Sequence, residues 1–109
     1  MHKCINLFIV ILWQALLLLI QLTKGNANIQ KIVAFENAFD RLFDVITEEG
    51  SSGGGIVVED CLLLMLNLLR NNTSNQNFFK EGNKFRFGLR NMVLNILVPN
   101  KWGISQLTR

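Results

Sequence analysis

The chain has 109 residues, half of them hydrophobic, and a formal net charge of +3. This length allows one domain at most, and the apolar content is enough for a small core, which excludes general disorder. Two cysteines, Cys4 and Cys61, and one histidine, His2, are too few for a disulfide framework or a zinc site. A single histidine at the extreme terminus also leaves no visible nucleophile–base pair. We therefore expect neither an enzyme nor a cofactor.

The charge is distributed unevenly along the chain. Residues 26–79 are acidic, and the positive excess comes from residues 80–109. A basic tail can contact nucleic acid or anionic lipid. Here the basic residues form no dense run, so we predict scattered solubilising charge and no nucleic-acid partner.

The N-terminal segment resembles a signal peptide. It begins with a basic residue and is nearly all apolar between residues 5 and 22, close to the lower length limit of a membrane helix. Three amides weaken this interpretation because each would lie in hydrocarbon: Asn6, Gln14 and Gln21. One hypothesis is a small secreted or membrane-anchored protein that uses residues 1–25 as a signal peptide or anchor.

A gapless internal repeat supports a second hypothesis. With a shift of 46, "ALLLLIQLTKGNANIQKIVAFENAF" from residue 15 lies over "CLLLMLNLLRNNTSNQNFFKEGNKF" from residue 61. This period falls in the armadillo and HEAT range of about 40 to 47 residues. The shift predicts that the leucine-rich segments 16–22 and 62–69 are two copies of one core helix. We expect each copy to be covered on two sides by neighbouring helices.

Local patterns predict the remaining helices and loops. A short helix is expected over 28–35 with Asn28 as its cap. An amphipathic helix capped by Asn37 follows and ends at Gly50. The glycine-rich residues 50–55 lack the Gly-Lys-Ser/Thr ending of a phosphate-binding loop, so they are interpreted as a flexible connector.

The second half of the chain is predicted in the same way. A long helix is expected over 56–69, and residues 71–77 are predicted to be a polar loop before a Phe78–Phe79 turn. A further helix is expected over 85–98, where Pro99 ends it.

Several polar residues are candidates for a site. Asn71 and Asn72 each begin a glycosylation sequon, but we favour ordinary loop residues in a cytosolic protein. Cys61 has acidic neighbours, which disfavours a reactive thiol and indicates a buried packing position. The acidic residues around the glycine connector show no metal-ligand spacing, so no metal is expected: Glu48, Glu49, Glu59 and Asp60.

Two equivalent amides are the best binding candidates. Gln21 and Asn67 occupy matching positions late in the two leucine-rich helices, where armadillo proteins commonly line a concave groove with asparagine. There an amide can hydrogen-bond an extended peptide, or it can simply satisfy a neighbouring carbonyl or face water. We name Gln21, Asn67 and Asn71 as candidate protein-binding residues. An importin-like groove for basic peptides is a further alternative that the acidic middle weakly permits.

Several segments together are highly specific to one family. "IQKIVAFENAF" and "GGIVVEDC", followed by "NLLRNN" and "SNQNFFKEG", closely resemble the globular head of the general vesicular transport factors. The resemblance covers about residues 16–82. It implies an all-α fold, a fragment of an armadillo-like helical repeat (α-solenoid) with about two repeats.

The resemblance also implies a function. Proteins of that family tether transport vesicles between endoplasmic reticulum and Golgi and within the Golgi, peripherally on the membrane. They act under a Rab-type small GTPase and engage golgins and SNARE proteins. We therefore expect an interaction module in a truncated form of such a tether.

Both ends of the chain depart from the family. Residues 1–15 form a non-matching apolar segment and residues 83–109 a non-matching basic segment, with the repeats between them over 16–82. The coiled coil that follows the family's head has no counterpart in heptads here. Because solenoid repeats bury their faces on neighbours, we expect two repeats to be marginally stable, to self-associate, or to bind a membrane through the first helix.

Overall fold

The structure, a computed structural model, describes residues 2–50 and 55–81, together with residue 91. The elements in these ranges are all helical: α1 His2–Thr23, α2 Ala27–Phe35, α3 Ala38–Gly50, α4 Gly55–Leu69 and α5 Thr73–Lys80. The expected all-α class is confirmed, and the arrangement fits an armadillo-like helical fragment. The helix predicted over 85–98 and most of the glycine connector lie outside the described residues.

The helices α1 and α4 lie side by side and run in the same direction. The Trp13 indole donates to Asp60 Oδ2 at 2.6 Å. Seven residues further along both helices, Asn67 Nδ2 donates to the Ile20 carbonyl at 2.9 Å. Both bonds join residues 47 apart, and a constant offset requires parallel neighbours. The 46-residue repeat is thus visible as two stacked copies of one helix.

Helix α4 forms the centre of the core. It packs against each of the other four helices, most extensively against α1 and α3. Its buried positions recur every three or four residues, which is the spacing of one helical face: Val57, Cys61, Leu64, Met65, Leu68 and Leu69. Phe39 and Phe43 of α3 pack against Phe79 of α5 in edge-on and tilted contacts, with ring centroids 4.8 and 6.0 Å from that of Phe79. This aromatic cluster ties α5 to α3.

The turn from α1 to α2 and the turn from α4 to α5 have the same geometry. We call residues 23–30 the first joint and residues 69–76 the second. Two residues beyond the end of each helix the backbone takes a positive φ, +66° at Gly25 and +57° at Asn71. Glycine and asparagine tolerate this left-handed region best. Asn26 and Asn72 follow in extended conformation, and each side chain accepts from the backbone N–H three residues later at 3.1 Å.

The structure corrects two local predictions. Helix α2 is capped by Asn26 and not by Asn28, which lies inside the helix. Residues 73–77, predicted as loop, belong to α5, which Asn72 caps. Its amides have poor helix propensity, but they are buried and bond to the end of α4: Asn75 Nδ2 donates to the Leu68 carbonyl and Gln76 Nε2 to the Leu69 carbonyl.

The expectation that α1 is covered on two sides is also wrong for the residues that the structure describes. Ile11, Leu18 and Leu22 are well exposed on its outer face, whereas Leu16 and Ile20 are buried against the core. The reason is that α4 covers one side of α1 and no described helix lies on the other. Within the described part of the chain, no helix combines the length and the hydropathy needed to cross a membrane.

Candidate protein-binding site

The ends of α1 and α4 enclose a pocket of about 390 Å³. Its lining comes from both joints and from the last turn of α4, and most of these residues are polar: Lys24, Gly25, Ala27, Gln30, Asn67, Arg70 and Asn71. Two of the three predicted residues, Asn67 and Asn71, therefore lie together in one cavity. Gln21 is exposed on α1 and does not line the pocket.

Asn67 connects the two stacked helices. Its Nδ2 donates to the Ile20 carbonyl at 2.9 Å and to the Thr23 hydroxyl at 3.4 Å. Such a bond satisfies a carbonyl in the last turn of α1, where no intrahelical partner is available. Of the two interpretations of this amide, the structure supports the structural one for its N–H groups, because they are used within the protein.

Asn71 has a backbone role at the mouth of the pocket. Its positive φ ends α4, and its side chain is exposed to solvent. Asparagine is the residue other than glycine that most readily adopts this conformation. The side chain is consequently presented at the pocket rim while the backbone is fixed by the turn.

A buried network of amides holds the pocket floor rigid. Gln30 Nε2 donates to the Thr23 carbonyl at 2.7 Å, and Gln76 Nε2 makes the equivalent bond to the Leu69 carbonyl at 2.8 Å. Asn72 Nδ2 then donates to Gln30 Oε1 at 2.8 Å, and Asn75 Nδ2 to the Gln30 carbonyl at 3.0 Å. These bonds link the two joints directly. Buried amides that bond across the two joints in this way fix one relative position of the two copies.

Two basic residues give the pocket its charge. Lys24 and Arg70 are equivalent in the repeat, exposed, and placed just after the C-terminal ends of α1 and α4. Positive side chains at this position interact favourably with the negative end of the helix dipole. They also make the pocket rim basic, in contrast with the acidic surface of α3. A ligand that enters here would meet amide groups flanked by positive charge.

Sequence reasoning did not assign Lys24, Gln30 and Arg70 to a site. The signal that could have found them is the repeat itself, because the 46-residue shift pairs Lys24 with Arg70 and Gln30 with Gln76. Positions that repeat and are polar at a helix joint indicate a network between copies. Taken singly, none of them is distinguishable from ordinary surface residues.

Cys61 is a packing residue, as predicted. Its side chain is fully buried in α4 and forms no disulfide. Burial, followed by the nearby charges of Asp60 and Glu49, raises the pKa of the Cys61 thiol to about 12. Because the thiolate is the reactive form, this thiol is inert at neutral pH. Among the described residues, no group of three or more acidic, histidine or cysteine side chains is arranged to hold a metal ion.

The two sequon asparagines lie in the turn between α4 and α5, within the second joint. Asn72 is buried, caps α5 and bonds Gln30 across the stack. Asn71 fixes the left-handed turn. Both residues therefore have structural reasons for being asparagine.

Comparison with known proteins confirms the predicted resemblance over most of the chain, although no protein-family model matches it. The chain is 70% identical over 66 residues to the bovine general vesicular transport factor p115, and 52% identical over 68 residues to the intracellular protein transport protein USO1 of Saccharomyces cerevisiae. These alignments cover 61% and 62% of this chain. A third, to the fission-yeast protein uso1, covers 80% at 38% identity.

The chain spans only 7%, 4% and 8% of the length of these relatives. Identity of this level over about three fifths of the chain is consistent with a fragment of a vesicular transport factor. Most of the length of those proteins therefore has no counterpart in this chain.

Proposed function

We propose that the chain is a non-enzymatic protein-interaction module in vesicle-mediated transport between endoplasmic reticulum and Golgi and within the Golgi. The observation that supports this most strongly is the 70% identity to a protein named as a general vesicular transport factor. A role in vesicular transport is thereby favoured over the secreted or anchored alternative. In this proposal the chain acts in the cytoplasm, peripherally on Golgi and vesicle membranes.

The architecture supports a binding role. Stacked helical units present continuous surfaces made of equivalent positions, and the pocket between the joints is one such surface. It combines rigid amides with Lys24 and Arg70 at the rim. We propose that a partner protein docks at this pocket, with Asn71 and Gln21 as outer contacts and Asn67 holding the floor. The partner classes that we propose are a Rab-type small GTPase, golgins and SNARE proteins.

Fractionation of cells that express the tagged 109-residue chain tests the proposal. The chain is expected to sediment with Golgi membranes, to resist glycosidase and to keep residues 1–25. Lys24→Glu reverses one charge at the pocket rim and should reduce Golgi association to the level of the tag alone. Lys31→Glu is the matched control, because Lys31 is also exposed but lies outside the pocket lining.

Two results would overturn the proposal. Secreted chain that is glycosidase-sensitive and lacks its first two dozen or so residues would support the signal-peptide hypothesis instead. Equal loss of Golgi association in both lysine variants would show that the pocket is not the docking surface.

A further inference from the structure

The two copies of the repeated helix differ in what covers them. Ile11, Leu18 and Leu22 of α1 are 61%, 59% and 46% exposed. Their equivalents 46 residues later are buried in α4, with 6% exposure for Val57 and 0% for Leu64 and Leu68. We call the α1 set, together with Gln21, the leading face. The same positions that α4 fills with packed side chains are thus open on α1.

A complementary surface lies at the other end of the stack. Leu16 and Ile20 of α1 are buried, because α4 packs on them. Their equivalents on α4, Leu62 and Leu66, are only partly buried. At 3.6 residues per turn they lie roughly half a turn around α4 from Asp60, which bonds to Trp13 of α1. We call these two residues the trailing face. It repeats, 46 residues later, the surface on which α4 rests.

We propose that two copies of this chain dock head to tail, with the leading face of one on the trailing face of the other. The interface between α1 and α4 within the chain is the template for this contact. Asn67 donates across it to the Ile20 carbonyl at 2.9 Å. In the docked pair the equivalent amide, Gln21 of one copy, donates to the Leu66 carbonyl of the other.

A second copy fits the leading face better than a lipid surface does. Helices that lie in a membrane interface combine an apolar face with a polar face rich in lysine and arginine. Residues 7–23 contain no charged side chain at all. The trailing face, in contrast, repeats the positions of α1 on which α4 already packs within the chain. Large exposed apolar patches mark protein–protein or membrane contacts, and the absence of lysine and arginine from residues 7–23 favours a protein contact here.

The geometry of the contact determines the type of assembly. The two faces differ, so the contact is heterologous, and each docked copy offers a new free face. We expect the chain to form dimers and longer species as its concentration rises. Gln21 belongs to the leading face as well as to the proposed outer contacts of the pocket, but neither face includes Lys24 or Arg70. Lys24→Glu should therefore reduce docking at the pocket and leave this assembly intact.

Sedimentation velocity on two complementary variants tests the proposal. Leu18→Glu places a charge in the leading face and Leu66→Glu in the trailing face, so each variant alone is expected to be monomeric. In a mixture, the Leu18→Glu variant still has an unaltered trailing face and the Leu66→Glu variant an unaltered leading face. These two faces can pair once only, so the mixture should form a 1:1 dimer and nothing larger. The milder Leu18→Ser is expected to weaken self-association at least about tenfold, which keeps the test valid if a glutamate variant misfolds.

Two matched controls have the same substitution outside the faces. Leu17→Glu and Leu63→Glu alter equivalent leucines that stay exposed to a similar degree in α1 and in α4, 41% and 43%. Position 63 stays open although α4 is stacked on α1, so this position lies outside the repeat interface. Both controls should assemble like the unchanged chain, and circular dichroism should show the same helix content in all variants.

Three outcomes would overturn the proposal. The first is a monomeric unchanged chain at all concentrations. The second is assembly that Leu18→Glu abolishes but Leu66→Glu does not affect, which would indicate a two-fold contact between α1 helices. The third is a chain that is monomeric alone but floats with phosphatidylcholine vesicles, with Leu18→Glu removing the flotation.

Discussion

The helices α1 and α4 are two copies of one sequence pattern in different surroundings. Each is followed by a left-handed residue and then by an asparagine cap, and the last carbonyl of each accepts a hydrogen bond from a glutamine seven residues later. They differ in their coverage: α4 lies between α1, α3 and α5, and α1 has its outer face open in the described part of the chain. The same leucine is therefore core in one copy and surface in the other.

This difference shows what a helical repeat encodes. Each unit specifies a helix joint and two apolar faces, and the neighbours decide which faces become core. A leucine-rich segment that is apolar all round is consequently compatible with a buried helix or with an interface. The exposed half of α1 is where we propose that a second copy docks.

The largest expected effect comes from truncating the same leucine in the two copies. Leu64→Ala removes a fully buried side chain and should lower the free energy of unfolding by about 3 kcal/mol. Leu18→Ala at the equivalent position should change it by less than about 0.5 kcal/mol, because Leu18 is exposed. Urea denaturation at a protein concentration where the chain is monomeric gives both values. Equal losses would show that α1 is covered like α4 and would break the comparison.

The buried thiol of Cys61 in α4 should make the stability of the fold depend on pH. The folded-state pKa of Cys61, about 12, lies above the ordinary value of 9.0. The stability linked to this group is therefore complete below pH 9 and is lost as pH rises from about 9 towards 12. The unfolded state loses its proton first, so the free energy of unfolding should fall by about 1.4 kcal/mol per pH unit in that range.

The control for this prediction uses the equivalent position on α1. Cys61→Ala should remove the pH-dependent loss, measured as the difference in stability from the unchanged chain between pH 9 and 10.5. In a chain that carries Cys4→Ser and Cys61→Ser, a thiol introduced by Ala15→Cys is exposed and should react readily with a thiol reagent at neutral pH. Similar slow labelling at positions 15 and 61 would contradict the difference in burial.

The sequence predicted those parts of the fold that depend on hydrophobic spacing. Helix α3 ends at Gly50 as expected, and α4 begins within one residue of its predicted start. The internal repeat predicted the stacking of α1 on α4, which local propensity does not reveal. These predictions succeeded because apolar periodicity and glycine act locally and strongly.

The predictions that failed depend on contacts between the copies. Helix α5 is rich in amides and looks like a loop by propensity, but Asn75 and Gln76 are buried and bonded to the end of α4. Only two of the residues that line the pocket, Asn67 and Asn71, were named from the sequence. Lys24 and Gln30 were missed because they acquire their roles from contacts with the second joint. Asn26 caps α2, and the residue 46 positions later, Asn72, caps α5. The repeat therefore carries the information that a helix starts after Asn72.

The most direct test of the stacked register is a double-mutant cycle between Gln30 and Asn72. Their side chains bond across the two joints at 2.8 Å, a contact that exists only if the copies stack with this shift. The single changes Gln30→Ala and Asn72→Ala and their combination should give a coupling energy of about 1 kcal/mol in urea denaturation. The pair Gln30 and Asn77, which is exposed, should show none. Effects of Gln30→Ala and Asn72→Ala that add within about 0.3 kcal/mol would contradict the stacking on which this account rests.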